Sequence, residues 1–182
     1  MRSHTSDFRA IYEAHFDFVW RSLRRLGVRE PDAMDQAQKV FLAVHAKLSE
    51  FEGRARMTTW LFAFCQRVAS DYRRSAAVRR EVATDANELE AVAVIEQDAA
   101  AQSDSTRRAR IAETILDKLP EAQRIVFVLF ELEELSGDEI AALLEISVGT
   151  VRSRLRLARE QFGREVRRLA AIEANDARRE AV

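Results

Sequence analysis

The chain has 182 residues, is 47% hydrophobic and carries a formal net charge of −1, which suits one or two folded domains with a real core. Five glycines and two prolines are few, which favours long helices over many turns, and a single cysteine excludes an internal disulfide. The longest apolar run, 125–130, is far too short to cross a membrane and the N-terminus has no secretory apolar segment, so we expect a cytoplasmic protein without membrane insertion.

Residues 1–80 carry 15 basic and 9 acidic side chains, and apolar spacing of three and four in this part predicts three helices. The first helix covers 7–26, the second follows it closely, and a loop over 49–57 separates the second from the third. The third helix ends among arginine pairs at 73–74 and 79–80. The residues expected to end or open these helices are Gly27, Pro31 and either Thr58 or Thr59.

Residues 81–106 hold seven acidic side chains and no basic one, are rich in alanine and have weak periodicity, which predicts a flexible linker. Beyond the linker, apolar spacing predicts helices over 107–119 and 121–134, with Pro120 at the start of the second. The chain therefore divides into two helical parts joined by an acidic segment.

Two closely spaced capping signals then predict a helix-turn-helix. Ser136 and Glu139 fit a capping box, in which the serine accepts an amide proton and the glutamate returns the bond. A short buried helix over 140–144 follows, and only two residues separate it from Ser147, the expected N-cap of a second helix. Gly149 is expected to let another backbone approach closely. So tight a joint is typical of a helix-turn-helix whose second helix enters the DNA groove.

The second of these helices has an apolar and a basic face. The apolar stripe consists of Val151, Leu155, Ala158, Phe162, Val166 and Leu169. The basic front consists of Arg152, Ser153, Arg156 and Arg159, with Arg154 beside them. Residues 147–168 hold seven arginines against two glutamates, and guanidinium groups suit phosphates and guanine edges. A helical hairpin with merely solvated arginines is the alternative, which the short joint and the two-faced pattern disfavour.

Two blocks of the chain resemble a known family, the extracytoplasmic-function (ECF) sigma factors of bacterial RNA polymerase. The first block, from Phe8 to about Arg80, is similar to sigma region 2, and the second is similar to sigma region 4. The first resemblance is carried by Arg24–Gly27, Asp32–Phe41, Phe51–Gly53, Thr59–Leu61 and Asp71–Arg74. The second is carried by Leu119–Arg124, Leu135–Ser136, Glu139–Ala141 and Ser147–Arg159. Both blocks in this order, with a short linker and no third domain, are specific to the family.

The resemblance implies an all-α fold of two small helical domains joined by the flexible acidic linker, 81–106. The first domain, 7–80, is of the three-helix region 2 type and is implied to bind core RNA polymerase and the −10 promoter element. The second, 107–170, is of the four-helix region 4 type with its helix-turn-helix and is implied to bind the −35 element. The implied protein is an alternative sigma factor that directs transcription initiation, without enzymatic activity, metal or cofactor. Its implied partners are core RNA polymerase, promoter DNA as duplex and as melted strand, and an anti-sigma factor.

Matching to the family also implies which residues make these contacts. The contacts to core polymerase are assigned to Asp35, Gln38, Lys39 and Phe41. The contacts to the −10 element are assigned to Phe51, Arg54, Arg56, Met57, Trp60, Arg67, Arg73 and Arg74. Aromatic or apolar groups accept an unstacked base, and arginines follow the backbone. The contacts to the −35 element are assigned to Thr150, Arg152, Ser153, Arg154, Arg156 and Arg159.

Four positions depart from the family pattern. Lys39 and Arg54 stand where an acid is usual, Arg67 stands where many members have asparagine, and Leu157 replaces a common basic residue. Lys39 therefore reverses a charge at the implied core contact, unless it points only to solvent. The preference for a −10 sequence stays open, and a purely structural role of Trp60 is the alternative to base stacking.

Other function classes are weighed against the sigma factor. An enzyme finds little support, because the three histidines lack metal-ligand spacing with Cys65 or each other and no phosphate loop or nucleophile motif occurs. The alternatives are a DNA-binding regulator that uses only the C-terminal module, and a protein adaptor. The stretch from Phe51 to Arg74 favours the sigma factor, since it has no obvious purpose in a plain regulator. For the acidic linker, a nucleic-acid mimic, a shield of the basic faces and a simple spacer all stay open.

Overall fold

The computed structural model describes residues 4–53, 55–82 and 104–180, and the regular structure in these ranges is entirely helical. The chain forms two compact units, Met1–Ile111 and Ala112–Val182. The predicted all-α fold is confirmed. Most of the predicted linker lies outside the described residues, and its two ends continue the flanking helices.

Three helices build the first unit: α1 (His4–Arg25), α2 (Glu30–Lys47) and α3 (Met57–Val82). A single turn of 3₁₀ helix, Leu48–Glu50, follows α2. Each helix packs against the other two, because each has an apolar stripe that must be removed from water. The stripes meet in a core that includes Val19, Leu23, Val40, Val44, Leu61, Phe62 and Cys65.

The helix ends of this unit partly match the prediction. Gly27 has a φ of +92° and donates its N–H to Arg24, while Val28 donates to Leu23, so the chain leaves α1 through a glycine-dependent C-cap as expected. The predicted cap of α3 at Thr58 or Thr59 is wrong. The Trp60 amide already bonds to the Arg56 carbonyl at 3.1 Å, so both threonines lie inside the first turn.

A polar cluster ties the start of α2 to α3. The Tyr72 hydroxyl donates to Asp32 Oδ2 at 2.6 Å, and Arg29 Nε donates to the Tyr72 oxygen at 3.2 Å and to the same carboxylate at 3.3 Å. The hydrogen bond with Tyr72, followed by the carboxylate of Asp32, raises the pKa of Arg29 above its usual value. The cluster thus joins the start of α2 to α3 through a charged arginine, a carboxylate and a shared hydroxyl.

The second unit contains the end of α4 (Asp104–Asp117), then α5 (Glu121–Phe127), α6 (Gly137–Leu144) and α7 (Val148–Glu180). A π-helical turn, Val128–Leu132, continues α5, so the helix predicted over 121–134 changes its winding and ends early. Helix α7 packs on α5 and α6. Their shared core includes Ile115, Leu116, Leu119, Val126, Leu129, Ile140, Val151, Leu155 and Ala158.

Arg124 is a charged residue inside this core, with a relative exposure of 1%. Its Nη1 donates to Asp117 Oδ1 at 2.7 Å and its Nη2 to the Leu119 carbonyl at 3.4 Å. A buried cation is tolerated only with such partners, and these two lie in the connection between α4 and α5. Arg124 therefore fixes the geometry of that connection. Across the described ranges, no helix combines the length and hydrophobicity needed to cross a bilayer.

Candidate nucleic-acid interface

The predicted helix-turn-helix is present in α6 and α7, and both capping predictions are confirmed. The Glu139 amide donates to Ser136 Oγ at 3.3 Å, and the Ser136 amide donates to Glu139 Oε2 at 2.8 Å. Ser147 Oγ accepts the Thr150 amide at 3.0 Å, which caps α7. These caps fix where each helix begins.

The joint between the two helices depends on Glu145, which has a left-handed φ of +54°. Its amide and that of Ile146 both donate to the Ala141 carbonyl, which closes α6. The expected backbone approach at Gly149 is wrong: a Cβ there would meet only Ser147 Oγ, at 3.6 Å. The tight turn is made by Glu145, a strained residue that is not glycine. No backbone packs closely against Gly149 among the described residues.

The apolar side of α7 is buried only over its first half. Val151, Leu155 and Ala158 lie in the core, and Phe162 stacks on Phe127 with ring centres 4.9 Å apart. Val166, predicted to continue the stripe, is 44% exposed. Leu169, the last predicted position of the stripe, is half-buried, so the stripe is interrupted at Val166.

The outward side of α7 carries the predicted −35 residues in three strips, because successive residues turn by about 100°. Ser153 and Arg156 lie opposite the buried residues and are exposed. Arg152 and Arg159, also exposed, lie on one flank, and the half-buried Thr150 and Arg154 lie on the other. All six side chains are therefore arranged around one outward surface, with two flanks beside a central strip.

The arginines of this surface differ in their partners. Arg156 pairs with Glu160 at 2.6 Å across one exposed helical turn. Arg159 Nε lies 2.6 Å from Glu131 Oε1, and its guanidinium lies over the ring of Phe130. Arg152 makes no ion pair or hydrogen bond within the described part of the chain. Arg154 also has no such partner there but is half-buried, so Arg152 is the cation of this surface that is most available to a ligand.

The middle of α7 is anchored to the end of α4. Gln161 Nε2 donates to the Lys118 carbonyl at 2.7 Å, and Lys118 Nζ lies 2.7 Å from Glu165 Oε2. The hydrogen bond from Lys118 lowers the pKa of Glu165 below its usual value. These contacts, together with the Ser147 cap, hold the basic surface in a fixed position.

A second basic surface lies on α3 in the first unit. Trp60, Arg67 and Arg74 follow one another at intervals of seven residues, which places them along one line of the helix. Arg56 is exposed just before the helix begins, and Arg74 pairs with Asp71, three residues earlier on α3. The predicted −10 cations at positions 56, 67 and 74 thus share a surface.

Aromatic rings stand beside these cations. Phe51, in the loop before α3, lies 5.0 Å from the Trp60 ring, and Trp60 lies 4.9 Å from Phe64 in an edge-to-face arrangement. All three are half-buried, as is Met57, so each keeps part of its surface accessible. Phe64 was missed from the sequence, although its spacing of four from Trp60 indicates the same face.

Two predicted −10 residues do not join this surface. Arg54 lies outside the described residues. Arg73 precedes Arg74 by one position and is therefore turned away from the line by about 100°. Its side chain is half-buried, with an inaccessible Nη1 that has no hydrogen-bond partner among the described residues. Arg73 thus lies off the line of Trp60, Arg67 and Arg74, and its contact with the DNA backbone stays a prediction.

The four predicted polymerase contacts all lie on α2, and three of them are exposed. Asp35, Gln38 and Lys39 are exposed, and Lys39 Nζ donates to Gln36 Oε1 at 3.1 Å. Phe41, by contrast, is only 3% exposed and its ring centre lies 4.7 Å from that of Tyr12. Phe41 is therefore a core residue, because its position on α2 faces α1.

Two exposed apolar residues of α2 were missed from the sequence. Met34 is 58% and Leu42 is 65% exposed, and both lie four residues from Gln38 on the outer side of α2. Their spacing opposite the buried positions was the available signal. The outer face of α2 thus combines apolar and charged side chains.

Comparison with known proteins agrees with this arrangement. A family model for Sigma-70 region 2 matches residues 11–79, and one for Sigma-70 region 4 matches residues 109–162. The ECF RNA polymerase sigma-E factor of Escherichia coli K12 is 31% identical over 145 residues, which cover 76% of this chain and 75% of that protein. The ECF RNA polymerase sigma factor SigW of Bacillus subtilis is 28% identical over 171 residues, covering 89% and 90%.

Two solved structures share the fold. The sigma factor RpoE of Bartonella quintana, in complex with the anti-sigma factor NepR, matches with a TM-score of 0.67 and 19% identity over 88% of this chain and 97% of that one. CnrH, in complex with the cytosolic domain of CnrY, matches with a TM-score of 0.61 and 22% identity over 93% and 90%. Two successive sigma regions and relatives aligned over three quarters or more of the chain show that it belongs to the ECF RNA polymerase sigma factors.

Proposed function

We propose that this sigma factor directs transcription initiation through three separate surfaces, for core polymerase, a melted −10 strand and a duplex −35 element. The observation that carries the proposal is the capped and anchored helix α7, whose outward surface presents arginines in a helix-turn-helix. The first domain, 7–80, would supply the first two surfaces and the second domain, 107–170, the third. The chain would act by binding, without a chemical step of its own.

The −35 duplex would be bound by α7 in the major groove. Residues in the first turns of a recognition helix contact base edges, which suits Arg152, Ser153 and Arg156. Phosphate contacts suit Arg159, which lies on the same flank as Arg152 but two turns further along the helix, and Thr150 and Arg154 on the opposite flank. Arg152 is unpaired among the described residues, so it can bind a guanine edge with both terminal nitrogens without first breaking an ion pair.

The melted −10 strand would be bound by the loop before α3 and by α3 itself. An unstacked base can stack on an aromatic ring, and the rings of Phe51, Trp60 and Phe64 keep accessible surface. Met57 extends the apolar part of this site, and Arg56, Arg67 and Arg74 would contact the strand's phosphates. Arg54 stays in the proposal on sequence grounds alone.

Core polymerase would be bound by the outer face of α2. Met34 and Leu42 supply apolar area that is costly to leave in water, and Asp35, Gln38 and Lys39 supply polar contacts around it. Such a mixture of apolar and polar side chains is typical of a transient protein–protein interface. Because polymerase is the required partner, we place the site of action in the cytoplasm.

An anti-sigma factor is the fourth proposed partner. RpoE is seen in complex with the anti-sigma factor NepR, and CnrH in complex with the cytosolic domain of CnrY. Both share the fold of this chain, which makes the same type of inhibitor a reasonable partner here.

Reconstituted transcription tests the proposal. The full chain is mixed with core polymerase and a pool of genomic fragments, and the RNA products are sequenced. We expect initiation at a defined set of promoters, loss of core binding in a Met34→Glu, Leu42→Glu variant, and retained core binding with loss of promoter choice in Arg152→Ala. Duplex binding without polymerase association would overturn the proposal and favour a regulator that uses only the C-terminal module.

A further inference from the structure

Arg159, on one flank of α7, is held by two residues of the π-helical turn that follows α5. Its Nε donates to Glu131 Oε1 at 2.6 Å, and its guanidinium carbon lies 5.1 Å from the centre of the Phe130 ring. One turn earlier, Phe127 stacks on Phe162 of α7. The same face of α5 and its π-helical turn therefore fixes both α7 and the direction of one of its arginines.

The contact uses only one edge of the guanidinium. Nε is occupied by Glu131, whereas Nη1 and Nη2 make no hydrogen bond to any residue that the structure describes. The Arg159 side chain keeps 52% of its surface accessible. Two terminal nitrogens on a held guanidinium form the fork that binds phosphate oxygens in pairs.

The position of Arg159 along α7 suits a phosphate and not a base. It follows Arg152 by seven residues, which is about 10 Å along the helix axis and nearly the same direction around it. The major groove is about 12 Å wide, and the start of the recognition helix lies at its base edges. A side chain two turns later therefore reaches the backbone at the border of the groove.

We propose that Glu131 is a positioning residue for duplex binding, which together with Phe130 holds the Arg159 fork in place for one phosphate. The proposal rests on the proposed function of α7 as the reader of duplex DNA. Because the long side chain of Arg159 is ordered before DNA arrives, less rotamer freedom is lost on binding. The carboxylate of Glu131 also repels the phosphate, so its orienting effect must exceed its charge effect.

Equilibrium binding of the full chain to a duplex separates these effects. The probes are a −35 duplex selected from a random pool with the chain and core polymerase, and a scrambled duplex. We expect Glu131→Ala to weaken binding to both by about three- to tenfold, since a phosphate contact is independent of sequence. Glu131→Gln keeps an acceptor for Nε and is expected to stay within about twofold of the unmodified chain or to bind more tightly.

A double-mutant cycle shows whether Glu131 acts through Arg159. In an Arg159→Ala background we expect Glu131→Ala to cause no further loss, because the group that it orients is absent. Glu160→Ala is the matched control, since it removes the same charge from an acid paired with Arg156 and is expected not to weaken binding. Phe130→Leu keeps an apolar side chain without the ring, and we expect it to weaken binding by about two- to threefold.

Other outcomes would overturn either the positioning role of Glu131 or the proposed function of α7. Tighter binding by both the Ala and Gln variants at position 131 would make Glu131 a competitor of phosphate and end the positioning proposal. Unmodified affinity in both Glu131→Ala and Phe130→Leu, with Arg152→Ala still weakened, would end it while leaving duplex binding by α7 intact. If Arg152→Ala and Arg159→Ala both bind normally, the proposed function of α7 fails instead.

Discussion

The two basic surfaces of this sigma factor are built differently. On α7, Arg156 and Arg159 are paired with acids and the helix is anchored by the Ser147 cap and by Gln161. On the surface of α3, Arg74 pairs with Asp71, but Arg67 and the preceding Arg56 make no ion pair within the described ranges, and the neighbouring groups are aromatic rings. One surface is fixed by polar contacts and the other is an adaptable mixture of rings and cations.

The difference matches the two forms of DNA that we propose as ligands. A duplex presents phosphates and base edges at fixed spacing, so a helix held in one place loses little freedom when it binds. A melted strand is flexible, and stacking on accessible rings tolerates many arrangements of its bases. The comparison therefore predicts that substitutions on one surface leave binding by the other unchanged.

Among the substitutions, Arg124→Ala is expected to separate the functions of the two units most strongly. Removing this buried cation leaves a cavity and an unpaired Leu119 carbonyl, and we expect the second unit to lose about 2–4 kcal/mol of unfolding free energy. Duplex binding should fall with it, while association with core polymerase through α2 persists. Denaturant unfolding, duplex titration and polymerase pull-down measure these three effects.

Arg124→Met is the control for this prediction. Methionine fills much of the same volume without a charge, and replacing a buried ion by an apolar group of similar size is often nearly neutral. A loss as large as in Arg124→Ala would show that the hydrogen bonds, and not the volume, stabilise the connection between α4 and α5.

Arg152→Ala is expected to lower the affinity for the selected −35 duplex by about 1–3 kcal/mol and to reduce discrimination against a scrambled duplex. The reason is that Arg152 lies early in α7 and has no competing ion pair among the described residues. Anisotropy titrations on both duplexes measure it. Equal losses on the two would instead identify Arg152 as a phosphate contact.

Trp60→Ala is expected to weaken binding of a single-stranded −10 oligonucleotide to the polymerase complex by about 1–2 kcal/mol. This value lies in the lower part of the range for base stacking, because Phe51 and Phe64 already cover part of the ring. Trp60→Phe should retain most of the affinity, and duplex binding should be unchanged in both variants. A premelted promoter that does not rescue Trp60→Ala supports direct stacking, whereas full rescue would indicate a role in opening the duplex.

Periodicity and caps predicted most of the fold. The capping box at Ser136, the Ser147 cap and the exit from α1 at Gly27 were all predicted, because each depends on residues close in sequence. The π-helical turn after α5 was not, since its residues pack on α6 and pair with Arg159 of α7, which both lie later in the chain. Local signals thus located the helices and several of their ends, while the end of α5 depends on contacts with later parts of the chain.

The site was predicted less completely than the fold. Residue match assigned Phe41 to the polymerase contact, although the packing of α1 on α2 buries it and leaves Leu42 outside. It assigned Arg73 and Arg74 together, although successive residues of a helix are turned by about 100° and Arg73 is half-buried while Arg74 is exposed. The Glu131 to Arg159 pair joins residues 28 apart, so no local pattern could have shown it.

The smallest predicted change in stability concerns Glu145, in the turn between α6 and α7. Glu145 adopts a left-handed φ of +54°, which is unfavourable for any residue with a Cβ. Glu145→Gly removes that strain but makes the unfolded chain more flexible, so we expect a net gain of about 0.5–1 kcal/mol in unfolding free energy. Denaturant unfolding of the full chain measures the gain.

The control is Ala142→Gly, an exposed position in the interior of α6 three residues earlier. There glycine relieves no strain, and we expect a loss of about 0.5–1 kcal/mol from the same added flexibility. Opposite signs at positions three residues apart would show that the turn stores strain in Glu145. Unchanged duplex affinity in Glu145→Gly would further show that the caps and anchors of α7, and not the strained residue, fix the orientation of its basic surface.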